Sequence, residues 1–181
     1  MAKVFIFLAP GFEEAEAIVP VDILRRGGLE VETVSIAPGR EVTGSHGITV
    51  VADVLFADAL FSEGDMLVLP GGPGTKNLND HEELKKLIVN YNDAGKYLAA
   101  ICAAPMILGE LGLLKGKKAI SYPGYEKYLL DAQVMEKEGV VLSENIITAK
   151  CMGVAMEFAL KIVELLKGKS VTKNVASSII M

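Results

Sequence analysis

The sequence predicts an α/β fold in which a mostly parallel sheet is covered by helices on both faces. Short apolar runs such as KVFIFLA (3–9) and DMLVLPGG (65–72) are typical of strands buried on both faces. Helix-like segments alternate with these runs, as in sheets built from strand–helix–strand units. The chain has 181 residues, of which 51% are hydrophobic, so it can bury one sizeable core. We therefore expect a single domain over residues 1–181.

The first part of the chain alternates strand and helix. A helix is expected over 11–28, because acidic residues occupy its first turns, Arg25 and Arg26 its last, and glycines follow. Pro20 should start a segment or kink this helix. Besides 3–9, the strands expected here are 29–37, then 47–53 as an edge or hairpin strand, then 65–72.

The second part repeats the alternation. An amphipathic helix over 81–95 precedes a short buried strand over 98–101, and a new helix begins at Ala104 with Pro105 in its first turn. Further on we expect a strand at 117–121, a strand pair within 140–150 and a strong amphipathic helix over 153–169.

Three strand ends contain the residues most suited to a binding site. In parallel sheets, ligands bind beyond the carboxyl ends of strands. The segments APGFEEAE, LPGGPG and AICAAP each follow an expected strand, so we expect the site among them.

Cys102 lies where the strand of AICAAP ends and the next helix begins. Backbone N–H groups at a helix start favour a thiolate and can stabilise an oxyanion. An isolated cysteine among alanines is also a common buried space-filler. Both interpretations remain open on position alone.

The LPGGPG loop offers backbone donors at Gly71 and Gly72 that side chains cannot obstruct. By itself the loop also fits an ordinary tight turn. It lacks the spacing of a phosphate-binding loop, since Asn77 follows Lys76 where Ser or Thr is required. No GxGxxG motif occurs, which removes the main sequence argument for a dinucleotide cofactor.

The acidic and histidine residues narrow the candidates for proton transfer. Acids at the start of a helix, here Glu13, Glu14 and Glu16, are usually solvated, but an inward-facing Glu16 would stay protonated and could bond the Cys102 sulfur. The two histidines, His46 and His81, both precede the cysteine, and neither adjoins it. A Cys–His pair therefore has no local support in the sequence.

Charge and composition exclude several partners. The net charge is −5 and no basic cluster is longer than KGKK, which argues against nucleic acid. No apolar run reaches membrane-spanning length, and Met1 leads directly into a strand-like segment, unlike a signal peptide. The chain has only two cysteines. We expect a reduced, cytoplasmic protein without membrane contact.

Four segments together resemble the DJ-1/ThiJ/PfpI superfamily: EEAEAIVPVDILRRGG, LPGG, AICAAP and MEFALKIVELLKGKSV. The resemblance covers almost the whole chain and favours the branch with the parkinsonism-associated deglycase and the bacterial YajL-like proteins. It implies a flavodoxin-like three-layer sandwich, usually a homodimer. It also implies glyoxalase or deglycase activity without added cofactor, chaperoning or oxidative-stress sensing.

The resemblance also implies roles for single residues. Cys102 matches the reactive cysteine of the family, and Glu16 matches the acid that bonds its sulfur. Gly72 and Ala103 match the residues whose N–H groups form an oxyanion pocket, with Gly71 beside them. A further match is an arginine near the pocket and the dimer interface, Arg26. Family peptidases have histidine directly after the cysteine, so Ala103 disfavours peptidase activity.

The chain departs from the family pattern at two pocket positions. Tyr122 precedes Pro123 where relatives commonly have histidine; it either donates a hydrogen bond or only packs at the pocket wall. Cys151 replaces a Gly-Pro turn near the active cysteine; it either resolves a Cys102 sulfenic acid or is an unreactive loop residue. His46 is a further candidate for the pocket. No pair of residues has metal-ligand spacing, so no metal is expected.

The sequence thus supports two functions of different class. In the first, Cys102 attacks a small carbonyl such as methylglyoxal, while Glu16 carries the proton. In the second, Cys102 is oxidised reversibly in a sensor or chaperone without turnover. An inactive binding scaffold is a third possibility.

Overall fold

The computed structural model describes residues 1–181 and has a seven-stranded sheet at its centre. The strands in chain order are β1 (Lys3–Leu8), β2 (Glu30–Ser35), β3 (Glu41–Thr43), β4 (Thr49–Val51), β5 (Val54–Leu55), β6 (Met66–Leu69), β7 (Tyr97–Ile101), β8 (Lys118–Ala119), β9 (Gln133–Val134), β10 (Val140–Ser143) and β11 (Ile146–Ala149). The helices are α1 (Glu14–Arg26), α2 (Thr75–Asn79), α3 (Glu82–Asp93), α4 (Pro105–Glu110), α5 (Ala155–Lys167) and α6 (Lys169–Ser178).

The central sheet has the order β10-β11-β7-β6-β1-β2-β5. Every neighbouring pair is parallel except β10 and β11, which form an antiparallel hairpin at one edge. The mostly parallel α/β sandwich predicted from the sequence is confirmed. The strands β7, β6 and β1 are neighbours, so the carboxyl ends that carry AICAAP, LPGGPG and APGFEEAE meet at one edge of the sheet.

Two apolar layers pack against the two faces of the sheet. Along β1, Phe5 and Phe7 point to a core shared with α2, α3 and α4, whereas Val4 and Ile6 point to a core shared with α1, α5 and α6. Side chains that alternate between two buried faces explain why KVFIFLA is apolar at every position. The fold is therefore the three-layer arrangement implied by the family resemblance.

The helix α1 runs through Pro20 without a break. The sequence predicted that this proline would start a segment or kink the helix. Because Pro20 has no N–H, the carbonyl of Glu16 lacks its helical donor. Packing of α1 against α5 keeps the helix continuous on both sides of the proline, with Ile23 and Leu24 buried in their shared core.

Short elements differ most from the sequence-based expectation. Residues 47–53 supply β4, which pairs with β3 in a separate hairpin, and the edge strand β5 follows. The strand expected at 117–121 shrinks to β8, which pairs with β9 outside the central sheet. The helices α2 and α6 were not predicted, because neither has a long amphipathic pattern. None of the helices combines the length and apolarity needed to cross a membrane.

Candidate active site

Cys102 occupies a strained turn directly after β7. Its φ angle is 65°, in the left-handed region that non-glycine residues rarely adopt. The turn is held from both sides, because the Cys102 N–H donates to the Ala149 carbonyl at 2.9 Å and the Cys102 carbonyl accepts from the Tyr122 N–H at 2.8 Å. Pro105 opens α4 just beyond. The turn directs the half-buried thiol toward α1 rather than along the strand direction.

Two glycines let the LPGGPG loop approach the thiol closely. A Cβ on Gly71 would lie 2.6 Å from both the Cys102 Cβ and the Glu16 Oε2. Gly72 has a φ of 85°, and a Cβ there would lie 2.5 Å from the Glu13 nitrogen. The Gly72 and Ala103 N–H groups face the Cys102 sulfur and act to lower the pKa of its thiol. The backbone thus places two N–H groups beside the sulfur.

Glu16 reaches the same point from α1. It is only 1% exposed, its Oε2 accepts the Gly71 N–H at 2.9 Å, and its carboxyl hydrogen bonds with the Cys102 thiol and the Met152 N–H. Burial is the largest cause that raises the pKa of this carboxyl, to about 7, against the effect of those hydrogen bonds. Glu16 is therefore inward-facing and is protonated in part near neutral pH.

Cys102 and Glu16 share one proton. Burial and the adjacent Glu16 raise the pKa of the Cys102 thiol to about 12, while the Gly72 and Ala103 N–H groups oppose that rise. Two negative charges in contact are costly, so the pair loses its first proton much more readily than its second. The singly protonated pair includes the form with a thiolate facing a neutral carboxyl.

Glu14 is a buried acid that the sequence did not single out. Its Oε1 accepts the His46 N–H at 2.8 Å and the Ile48 N–H at 3.4 Å. Burial opposes ionisation, but the backbone N–H of Glu14 itself, the His46 ring and these two bonds lower the pKa of Glu14 to about 2. Its donors come from the tip of the β3–β4 hairpin, which it fastens to the start of α1. No local sequence signal identifies donors 32 or 34 residues away.

His46 lies beside Glu14 at the rim and not at the thiol. Its ring is 68% exposed, with Nδ1 3.0 Å from the Glu14 Oε2 and 3.6 Å from the Glu13 Oε1. The hydrogen bond to Glu14 raises the pKa of His46. Ser45 Oγ also contacts both carboxylates at 3.3 Å. The ligand atoms of Glu13, Glu14 and His46 lie within 4.8 Å of one another and are engaged in these contacts.

Of the three remaining residues predicted for the pocket, Tyr122 and Cys151 lie close to the Cys102 turn and Arg26 does not. Tyr122 is next to Cys102 through its backbone, and its ring is half exposed and edge-on to Tyr125. Cys151 follows β11 beside the turn and is a half-buried free thiol. Arg26 does not line the pocket of its own chain: it pairs with Asp22, and ten helical residues place it about 15 Å from Glu16.

His81, the second histidine, is on the other side of the sheet. It caps α3 by accepting the Leu84 N–H and packs against the ring of Phe56, 4.5 Å away between centroids. No imidazole therefore contacts Cys102. Glu16 is the titratable side chain beside the sulfur.

Comparison with known proteins places this geometry in a family. Residues 2–165 match the model of the DJ-1/PfpI family. The chain is 38% identical to protein DJ-1 homolog B of Arabidopsis thaliana over 99% of its own length, but it spans only 41% of that relative. It is 34% identical to glutathione-independent glyoxalase DJR-1.2 of Caenorhabditis elegans, covering 90% of this chain and 87% of that one. It is also 34% identical to a deglycase of Pyrococcus abyssi, covering 91% and 99%.

Solved structures agree with the computed one. The crystal structure of Drosophila melanogaster DJ-1beta superposes with a TM-score of 0.95 at 34% identity, covering 99% of this chain and 98% of that one. Oxidised DJ-1 of Toxoplasma gondii gives 0.93 at 34% identity over the same shares.

Proposed function

Since the chain belongs to the DJ-1/PfpI family, we propose that it processes small reactive carbonyls with Cys102 as the nucleophile. The observation that carries the proposal is the convergence on one sulfur of two backbone N–H groups and a carboxyl with a pKa of about 7. Two relatives bear the names glyoxalase and deglycase, which fits a small aldehyde or ketoaldehyde substrate.

In the first step, the Cys102 thiolate attacks the aldehyde carbon. A carbon–sulfur bond forms, and the electrons of the C=O double bond move to the oxygen. The N–H groups of Gly72 and Ala103, already aimed at the sulfur, are close enough to stabilise the alkoxide. Their contribution needs no side chain, which matches the glycine-rich and alanine-rich sequence at these positions.

In the second step, Glu16 delivers its proton to the alkoxide and produces a hemithioacetal. Its carboxylate can then accept the proton from the former aldehyde carbon of a 2-oxoaldehyde and return it to the adjacent carbon, while the hydroxyl proton of the hemithioacetal passes to the neighbouring oxygen. Water hydrolyses the resulting thioester, so that the net reaction adds water to give a 2-hydroxy acid. A single carboxyl with a pKa near neutrality suits both directions of transfer.

The test is consumption of methylglyoxal by reduced protein with glutathione and metal ions removed. We expect saturable turnover by the wild type and none by Cys102→Ser. Turnover that survives in Cys102→Ser would contradict the proposal. Activity that appears only in Tyr122→His would mean that this pocket has lost catalysis through the missing imidazole.

We propose redox sensing or chaperoning as the second candidate function. One observation favours it: no imidazole reaches Cys102, so carbonyl chemistry has only Glu16 for proton transfer. A sensor requires only that Cys102 be oxidised. It would show oxidation of Cys102 by peroxide together with no saturable carbonyl consumption.

We also propose that the chain forms a homodimer of single domains in the cytoplasm, with no nucleic acid or membrane partner. Exposed apolar side chains surround the rim of the site, with Ile18 one turn after Glu14, Ile48 beside its carboxylate, Met152 next to Glu16 and Met156 four residues further along the chain. Ile48→Asp should halve the mass measured by light scattering. Leu142→Asp, on the distant strand β10, is the matched control.

A further inference from the structure

Cys102 and Cys151 follow two neighbouring parallel strands. The register pairs Ile101 of β7 with Ala149 of β11, so the segments that follow these two strands leave the sheet at the same level. The Cys102 N–H still bonds the Ala149 carbonyl at 2.9 Å. With strands about 4.8 Å apart and a rise of about 3.3 Å per residue, a one-residue offset separates the two Cα atoms by about 6 Å. That separation lies within the range that disulfides span, about 4.4–6.8 Å.

The side chains of the two cysteines share one face of the sheet. Ile147 and Ala149 point to the core formed with α1 and α5, and the alternation of an extended chain brings Cys151 to that face. The backbone of Cys151 is fully extended, with φ −169° and ψ 175°. Cys102 is directed to the same face by its left-handed turn and packs against the same core.

Glu16 links the two positions. Its carboxyl lies beside the Cys102 thiol on one side and the N–H of Met152, the residue after Cys151, on the other. Both thiols are free and half-buried, so each is accessible to a small reagent. A proton carrier thus lies between the two sulfur-bearing segments.

We propose that Cys102 and Cys151 form a redox-active pair that reduces a hydroperoxide and closes an intramolecular disulfide. The proposal shares the reactive Cys102 with the proposed function, but it needs none of the carbonyl chemistry. The ligand class is hydrogen peroxide or a small alkyl hydroperoxide, and the co-reductant is a dithiol.

The first step oxidises Cys102. Its thiolate attacks the terminal oxygen of the peroxide, a sulfur–oxygen bond forms and the oxygen–oxygen bond breaks. The leaving alkoxide or hydroxide takes the Glu16 proton and departs as an alcohol or water. Cys102 is now a sulfenic acid, and Glu16 is a carboxylate.

The second step uses Cys151 as the resolving thiol. The Glu16 carboxylate accepts its proton, the Cys151 sulfur attacks the Cys102 sulfur, and the S–OH bond breaks. The hydroxide leaves as water with the proton from Glu16. A dithiol then reduces the disulfide and becomes oxidised itself, which restores both cysteines and the shared proton.

The test treats reduced protein with one equivalent of hydrogen peroxide, blocks remaining thiols with N-ethylmaleimide and measures intact mass. Wild type should lose about 2 Da, with no maleimide added. Tryptic digestion should then link the peptide 97–115 to the peptide 151–161. The matched variant Cys151→Ser should gain about 16 and then about 32 Da on Cys102 and form no link.

A second readout measures the cycle. With excess dithiol, wild type should consume many equivalents of peroxide above the rate of the dithiol alone without forming sulfinate. In Cys151→Ser only the dithiol can reduce the sulfenic acid, so sulfinate should accumulate on Cys102 and the consumption of peroxide should decay. If wild type gains two oxygens on Cys102 as fast as Cys151→Ser and forms no link, the redox pair is refuted, but the reactive thiol of the proposed function stands. A disulfide between two chains also refutes it. A Cys102 inert to peroxide and maleimide overturns both proposals.

Discussion

Glu14 and Glu16 lie two residues apart at the start of α1, and both are buried, yet their pKa values move in opposite directions. Glu14 falls to about 2 and Glu16 rises to about 7. Burial disfavours the charge on both, but Glu16 is the more deeply buried, at 1% exposed against 7% for Glu14, and the neighbouring groups add to the difference. Glu14 meets two backbone N–H groups and a histidine ring, whereas Glu16 shares its surroundings with a sulfur that competes for the same negative charge.

This contrast separates a structural acid from a candidate catalytic one. A carboxylate with a full set of donors stays ionised and holds the hairpin tip in place. A carboxyl beside a second ionisable group keeps a proton that it can pass on. The residue type is the same in both, so the role follows from how deeply each side chain is buried and from what it faces.

The largest expected effect is on turnover. Glu16→Gln removes the proton carrier at the sulfur, and carbonyl turnover should fall at least about 100-fold. The control Glu14→Gln should keep turnover within about threefold per folded molecule, because Glu14 does not touch the sulfur. Steady-state kinetics on both variants check this. Equal losses of turnover in Glu16→Gln and Glu14→Gln would contradict the prediction that only Glu16 takes part in catalysis.

The next largest effect is on stability, where the effect of interest is that of Glu14→Gln rather than that of Glu16→Gln. Glu14→Gln weakens the hydrogen bonds that fasten the hairpin tip, and should lower the free energy of unfolding by about 1–3 kcal/mol at pH 7. Because the pKa of Glu14 is lowered by folding, its contribution is complete above its ordinary value of 4.5 and is lost as pH falls toward about 2. Urea titrations between pH 2 and 7 test both statements. An acid-side slope unchanged in Glu14→Gln would contradict them.

A smaller effect concerns the pH dependence of the thiol. Below pH 7 the Cys102–Glu16 pair is fully protonated, so alkylation of Cys102 by iodoacetamide should rise through pH 7 and then level off. In Glu16→Gln the buried thiol must ionise alone, which shifts the midpoint to higher pH by about one unit, a tenfold loss of rate near neutrality. A midpoint that does not move would show that the carboxyl does not share the proton.

The smallest effect is expected at Ser45. Its hydroxyl contacts the Glu13 and Glu14 carboxylates at 3.3 Å, near the limit of a hydrogen bond. Ser45→Ala should therefore change the free energy of unfolding by less than about 1 kcal/mol. A larger loss in the same urea titration would show that Glu14 depends on the hydroxyl as well as on the backbone donors.

The fold could be predicted because parallel strands buried on both faces leave continuous apolar runs. The run KVFIFLA became β1 within a residue of the expected end. Strands such as β5 and β8 pair over only two residues, too few to leave a periodic signal. Pro20 does not start a new segment, because packing between α1 and α5 outweighs one missing helical hydrogen bond.

The site could be predicted where its parts are local. Cys102, Gly71 and Gly72 stand at strand ends, and the topology brings neighbouring ends together. Glu14 could not be recognised, since its donors belong to a hairpin that is distant in sequence. The family resemblance matched Arg26 to the pocket, whereas in α1 this residue lies ten positions after Glu16 and pairs with Asp22.

The left-handed backbone of Cys102 has a consequence for selection. A residue with a Cβ costs about 1–2 kcal/mol in that conformation, and glycine would avoid the cost. In a randomised library screened only for thermal resistance, position 102 should therefore drift toward glycine. The cysteine would be retained only when the screen also rewards chemistry, so the two selections together would report what this position contributes.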